Sequence, residues 1–332
     1  MKRLYALIAI LLVFLGFAYV KESDPNQAAD RKHTPTVGIL QLMSQPALDT
    51  IHHGIIQGLK DGGFTPGKNV KIDYQNAEND QSNMMTMSNR FVNEGADAMI
   101  GIATPSAQAL ANSSSKIPII LGAVTDPKGA GLVTNNTNPG GNVTGVSDQA
   151  PLAEQLSLIR RVMPHLKTLG IIYTSSDDSA VEQYKQFKVL CQKAGIPLKA
   201  YSISNTNDVQ QVSQQMVRSV DAVYVPTDNT IASAMQTLVQ NANAAKVPVF
   251  PAVDTMVKDG GLATYSVDQY KLGVLTGKMT AKILKGEKPA TTPIKFVRHG
   301  KLIINLKEAK KLGITFPASV LKEAKEKGEI VK

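Results

Sequence analysis

Hydroxyl and carboxylate side chains follow four apolar runs of the sequence, and these residues are the best placed to do chemistry. Thr104-Pro105-Ser106 follows DAMIGIA, and Ala123-Val124-Thr125-Asp126 follows IPIILG. Later in the chain, Thr227-Asp228-Asn229 follows DAVYVP, and Val253-Asp254-Thr255 follows KVPVFPA. The first two segments are rich in hydroxyls, whereas the last two add carboxylates. A zwitterion needs that division, because neutral donors bind its carboxylate while an acid binds its ammonium group.

The segment at Thr104 has the composition of a helix start. Pro105 suits a first helical turn, because its missing N–H would have had no partner there. Thr104 can cap the helix, and Ser106 together with nearby N–H groups can hold an anion such as a carboxylate. The segment therefore predicts an anion-binding helix N-terminus.

Strands and helices alternate along the chain. Buried strands are predicted at 36–40, 69–76, 97–103, 117–122 and 168–174, and helices at 46–63, about 81–94, from near 105, about 179–194 and near 268–285. Such alternation is typical of an α/β protein with a parallel sheet covered on both faces. In such sheets ligands bind beyond the carboxyl ends of the strands, which is where the four polar segments lie.

The pattern occurs twice. TLGIIYT matches TVGIL, DAVYVPTDNT matches DAMIGIATPS, and KVPVFPAVDT matches KIPIILGAVTD, at offsets of 132, 124 and 130 residues. We therefore predict two similar doubly wound lobes joined by a multi-crossing hinge, with segment 129–150 as a crossing and a cleft between the lobes. Lobe 1 comprises 36–148 plus about 268–290, and lobe 2 comprises 149–267 plus about 291–332.

Two further segments would complete the walls of the cleft, the loop from Gln41 to Asp49 and the segment from Tyr173 to Asp178. The candidate ligand-binding residues are Gln41, Ser44, Thr104, Ser106, Ala107, Ala123, Thr125, Ser147, Tyr173, Ser175, Asp178, Thr227, Asp228, Asn229 and Asp254.

The N-terminus has the pattern of an export signal. Lys2 and Arg3 precede an uncharged run from Leu4 to Val20. Residues 1–20 are a signal peptide, cleaved after Ala18, or a retained membrane anchor, and 21–35 form a polar linker; we favour the anchor. No Cys follows the run, so a lipoprotein is not expected. In either case the folded part lies outside the cytoplasm.

Several function classes are disfavoured. Of the net charge of +9, residues 1–35 contribute +2 and residues 295–332 contribute +6, so a nearly neutral body gives no sign of nucleic-acid binding. Neither a G-x-S-x-G elbow nor a phosphate-binding loop is present, and the five His residues form no metal pattern. His52 and His53 are adjacent and indicate a partly exposed helix face. We expect no enzymatic activity, no cofactor and no metal.

The strings TVGILQ, IGIATPSAQAL, PIILGAVTDPKGAGLV, GNVTGVSD and VYVPTDNTI, with the tail LIINLKEAKKLGITFPASVLKEA, resemble the substrate-binding proteins of ABC transporters. More narrowly, they resemble the branch associated with the uptake of tryptophan and other aromatic amino acids. The resemblance runs from about Thr36 to the C-terminus. It implies a type I periplasmic-binding-protein fold that closes on an amino acid and docks on a permease, and we expect a monomer.

The resemblance also implies roles for individual residues. The ligand carboxylate would bind at Thr104, Ser106 and Ala107, and again at Ala123 and Thr125. Asp228 would take the ammonium group, with Asp254 the second choice. Because the chain has no Trp, the expected stacking wall for an aromatic ligand is Tyr173, Tyr224, Phe250 and Tyr265. The alternatives are a receptor for another small solute, such as a nucleoside or sugar, and an exported enzyme.

Overall fold

Parallel β-sheets organise the chain in a computed structural model that describes residues 33–297 and 300–332. The strands are β1 (Thr36–Gln41), β2 (Lys71–Asn76), β3 (Ala98–Ile102), β4 (Ile119–Gly122), β5 (Val143–Ser147), β6 (Leu169–Thr174), β7 (Leu198–Ile203), β8 (Ala222–Val225), β9 (Val249–Pro251), β10 (Ala263–Ser266), β11 (Lys295–Phe296), β12 (Lys301–Asn305) and β13 (Glu329–Val331). The predicted signal or anchor at 1–20 and most of the predicted linker lie outside the described residues.

Twelve α-helices connect the strands within the described residues. They are α1 (Pro46–Asp61), α2 (Gln81–Asn93), α3 (Thr104–Ser113), α4 (Leu152–Val162), α5 (Asp178–Lys193), α6 (Asp208–Met216), α7 (Asn229–Ser233), α8 (Met235–Ala244), α9 (Asp254–Lys258), α10 (Gln269–Leu284), α11 (Leu306–Leu312) and α12 (Ala318–Lys327). None of the helices in the described part of the chain has the length and apolar composition needed to cross a bilayer.

The strands form one sheet in each lobe and a small third sheet. The first lobe holds β11-β5-β4-β3-β1-β2 and the second holds β7-β6-β8-β9, and every pair in both sheets is parallel. In the second lobe, β12 pairs antiparallel with β10 and parallel with β13. Each lobe has its own hydrophobic core. The predicted α/β fold with two parallel-sheet lobes is confirmed.

The chain crosses between the lobes three times, after β5, after β10 and after β11. The predicted crossing at 129–150 is too long, because β5 lies inside it and pairs with β4, so only the residues after Ser147 cross. The predicted boundary at about 290 is too early. Lys295 pairs with Val146 of β5, and Ile294 is buried in the first core. A strand of two residues carries too little periodicity to be found in a sequence.

Helices α1 and α10 pack with their backbones in contact. A Cβ added to Gly58 would lie 2.2 Å from the carbonyl oxygen of Val274, and one added to Gly277 would lie 2.1 Å from that of Ile55. Only glycine permits so close an approach. The pair holds two helix N-termini, those beginning at Pro46 and Gln269, in a fixed relation at the cleft.

Candidate functional site

The two lobes enclose a cleft cavity at the carboxyl ends of their parallel strands, with about 460 Å³ of empty space including its mouth. The first lobe contributes Gln45, Ala47, Leu48, Ile51, Ala103, Thr104, Ala123, Thr125 and Gln269; the first crossing contributes Asp148; and the second lobe contributes Ser179, Thr227, Asp228, Asn229, Ala232, Val253, Thr255 and Met256.

Two alanines at the ends of neighbouring strands adopt backbone conformations that favour glycine. Ala103 follows β3 with φ 75°, and Ala123 follows β4 with φ 61°. Both line the cavity. For a residue with a Cβ this region costs about 1–3 kcal/mol, and such strain is concentrated at ligand-binding sites. The strained turn at Ala103 also gives α3 its starting direction.

The N-terminus of α3 offers hydrogen-bond donors at this wall. No side chain caps the helix, and the first intrahelical bond of this turn runs from the N–H of Ala107 to the carbonyl of Ala103. The N–H groups of Thr104 and Ser106 therefore have no intrahelical acceptor. The buried Oγ of Ser106 has no hydrogen-bond partner. Free N–H groups and the positive end of the helix dipole make this an anion-binding end.

Two buried aspartates, Asp148 and Asp228, line the cavity opposite the α3 N-terminus, and the buried Asp177 lies close enough for its charge to act on both; we call the three residues the acidic trio. Asp148 lies in the first crossing and accepts a hydrogen bond of 3.0 Å from Thr125 Oγ1. Asp177 caps α5 by accepting hydrogen bonds from the N–H and hydroxyl of Ser179. Within the described chain, no Lys, Arg or His forms an ion pair with any of the three.

Asp228 has a structural role as well as a place on the cavity wall. It accepts hydrogen bonds from the N–H of Thr174 at 2.6 Å, from Thr174 Oγ1 at 2.9 Å and from the N–H of Ile231 at 3.0 Å. It thereby caps α7 and ties that helix to β6. Burial, followed by the nearby charge of Asp177, raises the pKa of Asp228 to about 6, against the hydrogen bonds that lower it.

The structure brings some of the predicted site residues together and not others. Those on the cavity wall are Thr104, Ala123, Thr125, Thr227, Asp228 and Asn229. Those off the wall are Gln41, Ser44, Ser106, Ala107, Ser147, Tyr173, Ser175, Asp178 and Asp254.

Most of the residues off the wall are engaged elsewhere. Gln41 and Ser44 both donate to the carboxylate of Asp49. Ser147 donates to the carbonyl of Thr125, and Ser175 donates to that of Ile203.

Asp254, the second predicted acceptor for an ammonium group, is also off the wall. One carboxylate oxygen of Asp254 pairs with Lys258 Nζ at 3.4 Å, while Oδ1 is buried without a partner. Burial raises the pKa of Asp254, and the lysine opposes that rise. Its neighbours Val253 and Thr255 line the cavity instead.

None of the four rings expected to stack on an aromatic ligand, those of Tyr173, Tyr224, Phe250 and Tyr265, lines the cavity. Tyr224 is fully buried in the second core, where its ring stacks on Phe187 at 3.9 Å between centroids. Tyr173 stacks on Tyr184 at 4.7 Å, and Tyr265 bonds with Arg161. These rings cover core or lobe surface, because each faces a helix rather than the cleft. The apolar part of the wall is instead aliphatic, formed mainly by Leu48, Ile51, Val253 and Met256.

Sequence reasoning missed several wall residues. Gln45, Leu48 and Ile51 belong to the first turns of α1, whose apolar spacing marks only a core-facing helix. Asp148 stands in the string GNVTGVSD, where it reads as part of a polar crossing. Gln269 follows Asp268, a helix cap, and gave no signal of its own. Nothing in the local sequence distinguishes these residues, because their position depends on how the lobes meet.

Side chains also bond directly across the cleft. Gln45 Nε2 donates to Asn229 Oδ1 at 3.0 Å, and Gln108 Nε2 donates to Asp178 Oδ2 at 3.4 Å. The first residue of each pair belongs to the first lobe and the second to the other. The lobes are therefore in contact over the cavity.

A model of the ABC transporter substrate-binding protein family matches residues 36–327, and the chain belongs to this family. Substrate-binding proteins of ABC transporters work outside the cytoplasm. Among curated proteins, the chain is 36% identical over 283 residues to a tyrosine-binding protein of Clostridioides difficile, covering 85% of this chain and 82% of that one.

Solved structures add a comparison of lobe arrangements. An ABC domain from Streptococcus pneumoniae in complex with L-Trp is 45% identical, with TM-score 0.87 over 90% of this chain and 100% of that one. The ligand-free, open structure of a substrate-binding protein with adhesive properties from Clostridium difficile is 36% identical. It gives a TM-score of 0.70 over 90% of this chain and 99% of that one. The chain thus superposes better on the ligand-bound structure, in agreement with the direct contacts across the cleft.

Proposed function

We propose that the protein binds an aromatic amino acid, tryptophan or tyrosine, in the cleft cavity and delivers it to an ABC permease. The observation that carries this proposal is the division of polar groups across the cavity. A helix N-terminus with free donors faces it from one lobe, and buried acids without an ion-pair partner face it from the crossing and the other lobe. An α-amino acid presents a carboxylate and an ammonium group separated by one carbon atom. The binding of tyrosine and L-Trp by relatives supports the same ligand class.

The carboxylate of the ligand would bind at the α3 N-terminus. The N–H groups of Thr104 and Ser106 donate to it, and the hydroxyl of Ser106 turns to become a further donor. Hydrogen bonds to a charged acceptor contribute about 1.5–3 kcal/mol each. The strained conformations of Ala103 and Ala123 support this assignment, because both residues line the cavity and backbone strain of this kind is concentrated at ligand-binding sites.

The ammonium group would bind between Asp148 and Asp228, which both line the cavity. Asp148 has more acceptor capacity to spare, because it accepts from Thr125 Oγ1 and from its own N–H, while Asp228 already accepts three hydrogen bonds from neighbouring groups. The assignment therefore adds Asp148 to the residue expected from the sequence.

The side chain of the ligand would lie against the aliphatic wall. Leu48 and Ile51 come from the first lobe, and Val253 and Met256 from the second, so an aromatic ring bridges both lobes. Methionine sulfur makes favourable contacts with aromatic rings, which suits Met256 to this position. Closure over the ring then buries apolar surface from both sides.

The N-terminal segment would determine where the protein acts. We infer that residues 1–20 export the chain and hold it at the outer surface of the membrane as an uncleaved helix, with 21–35 as the tether; release after cleavage is the alternative. The protein would act there as a monomer, because one chain supplies both walls of the site.

Thermal unfolding of the purified protein with each of the twenty amino acids, nucleosides and sugars tests the ligand class. A ligand at one hundred times its Kd adds about 2.7 kcal/mol to the free energy of unfolding. Tryptophan binding can be followed by the fluorescence of the ligand, since the chain has no Trp. We expect stabilisation by tryptophan and tyrosine. Stabilisation by a sugar or nucleoside with none by any amino acid would overturn the proposal.

A further inference from the structure

We propose that Asp148 exchanges a proton for the amine of the ligand, so that binding in the cleft releases a proton to solvent. The inference rests on the proposed function, because it requires a ligand with a charged amine. It goes further in assigning Asp148 as the residue that selects such ligands, and in making affinity depend on pH.

Asp148 lies at the hinge, on the wall of the cavity. It follows β5 in the first crossing, is 7% exposed and lines the cavity, so its carboxylate is held at the hinge while both lobes close on it. The donors facing it are Thr125 Oγ1 and its own N–H. A buried carboxylate with so few donors is poorly stabilised when ionised.

The charges that act on Asp148 come from nearby carboxylates. Asp177, at the start of α5, opposes ionisation of Asp148 through its charge, and it also opposes that of Asp228. Burial raises the pKa of Asp177, and the charge of the exposed Asp178, next along α5, adds to that rise. The neighbouring charges that act on Asp148, Asp177 and Asp228 are thus those of other carboxylates, and no Lys, Arg or His of the described chain forms an ion pair with the three.

These surroundings favour the protonated form of Asp148 before a ligand binds. Burial is the main cause that raises the pKa of Asp148 to about 6, with the charge of Asp177 adding to it. The empty, closed cleft therefore holds a proton on Asp148 in mildly acidic solution. Burying unpaired carboxylates costs free energy, and a proton or a cation relieves that cost.

When the ligand binds, its ammonium group takes the place of the proton on Asp148. The ligand amine enters as an ammonium ion, the carboxyl group of Asp148 loses its proton to water, and an ion pair remains in the cavity. No covalent bond to the ligand forms or breaks. Since the pair favours the ionised acid, ligand and proton compete, and Kd should rise about tenfold for each pH unit below 6 for one linked proton.

Calorimetric titration with L-tryptophan in two buffers of different ionisation enthalpy measures the released proton. For the unaltered protein we expect release of about half a proton at pH 6, falling toward zero at pH 8. Asp148→Asn should abolish the release and flatten the dependence of Kd on pH. Glu154→Gln is the matched control, because Glu154 is an exposed acid six residues further along the same crossing and helix.

The outcomes separate the two proposals. Binding of tryptophan with identical heats in both buffers at pH 6 overturns proton exchange and leaves the proposed function intact. This measurement needs no variant, so a failure of Asp148→Asn to fold does not prevent it. Release that persists in a folded Asp148→Asn variant overturns the assignment to Asp148. If no amino acid binds, the proposed function itself is overturned.

Discussion

The side chain of Gln45 joins the two lobes by donating a hydrogen bond of 3.0 Å from Nε2 to Asn229 Oδ1. Its orientation is fixed, because its Oε1 accepts the N–H of Ala47 at the start of α1. The amide therefore caps a helix with one atom and reaches the opposite lobe with the other. Both residues line the cavity, so the bond stands beside the ligand that the closed lobes would enclose.

Gln45→Ala should weaken ligand binding by about 1 kcal/mol, or roughly fivefold in Kd, mainly through faster dissociation. Asn229→Ala should raise Kd by a smaller factor in the Gln45→Ala variant than in the unaltered protein, because the hydrogen bond between the two residues is already lost there. Stopped-flow dissociation of tryptophan from the four proteins measures the coupling. Thr50→Ala, on the same helix and off the cavity wall, serves as the control, and additive effects of the two alanine substitutions would contradict the account.

Ser106→Ala should weaken ligand binding without lowering the stability of the protein. The buried hydroxyl has no partner in the empty protein, so its removal should leave the free energy of unfolding unchanged or raise it by about 1 kcal/mol. Tryptophan binding should weaken by roughly tenfold or more, since a donor to the carboxylate is lost. Denaturant unfolding and calorimetry measure the two effects. Ser113→Ala, at the other end of α3, should leave Kd unchanged; unaltered affinity in Ser106→Ala would remove that hydroxyl from the site.

Gly58→Ala should destabilise the protein by about 1–3 kcal/mol, because the added Cβ would lie 2.2 Å from the carbonyl oxygen of Val274 and would force α1 and α10 apart. Gly141→Ala is the matched control, since a Cβ there meets no atom within 4 Å. Chemical denaturation of both variants measures the difference. Equal stability of the two variants would show that the helices can separate without cost.

His52 should make the protein less stable in mild acid. Burial, followed by the charge of His53, lowers the pKa of His52 below 6.5, although Asp49 partly opposes this. The unfolded chain then binds the proton more readily than the folded one, so stability falls as the pH drops below 6.5 toward the lowered value. The ring also stacks on Tyr74 at 4.2 Å between centroids.

His52→Gln should remove that loss, which comparison of unfolding free energies at pH 7.5 and pH 5.0 would detect. His165→Gln, at an exposed position, controls for loss of an imidazole. A pH dependence that is the same in both variants would refute the role of His52.

Much of the fold could be predicted from the sequence, because each buried parallel strand is a short apolar run followed by an amphipathic helix. β1, α1 and α10 lie close to their predicted bounds for this reason. The two-residue strand β11 could not be found, since its pairing with β5 depends on where the third crossing returns.

The site was less predictable, because the strands fix where loops begin but not which side chains face the cleft. Thr104 and Thr125 could be placed because each lies two or three residues beyond the carboxyl end of a strand. Asp148 could not, since it reaches the cavity only through the hinge. Ala103 and Ala123 carry positive φ without the glycine that would have marked such turns.

Calorimetric titration of the protein with L-tryptophan, tryptamine and indole-3-propionate tests the central claim most directly. Tryptamine lacks the carboxylate and indole-3-propionate lacks the amine, while both keep the ring. The account predicts that L-tryptophan or L-tyrosine binds and that each one-pole analogue binds at least about a hundredfold more weakly, since an unpaired group is left at one end of the cavity. Binding of either analogue as tightly as the amino acid would contradict the account.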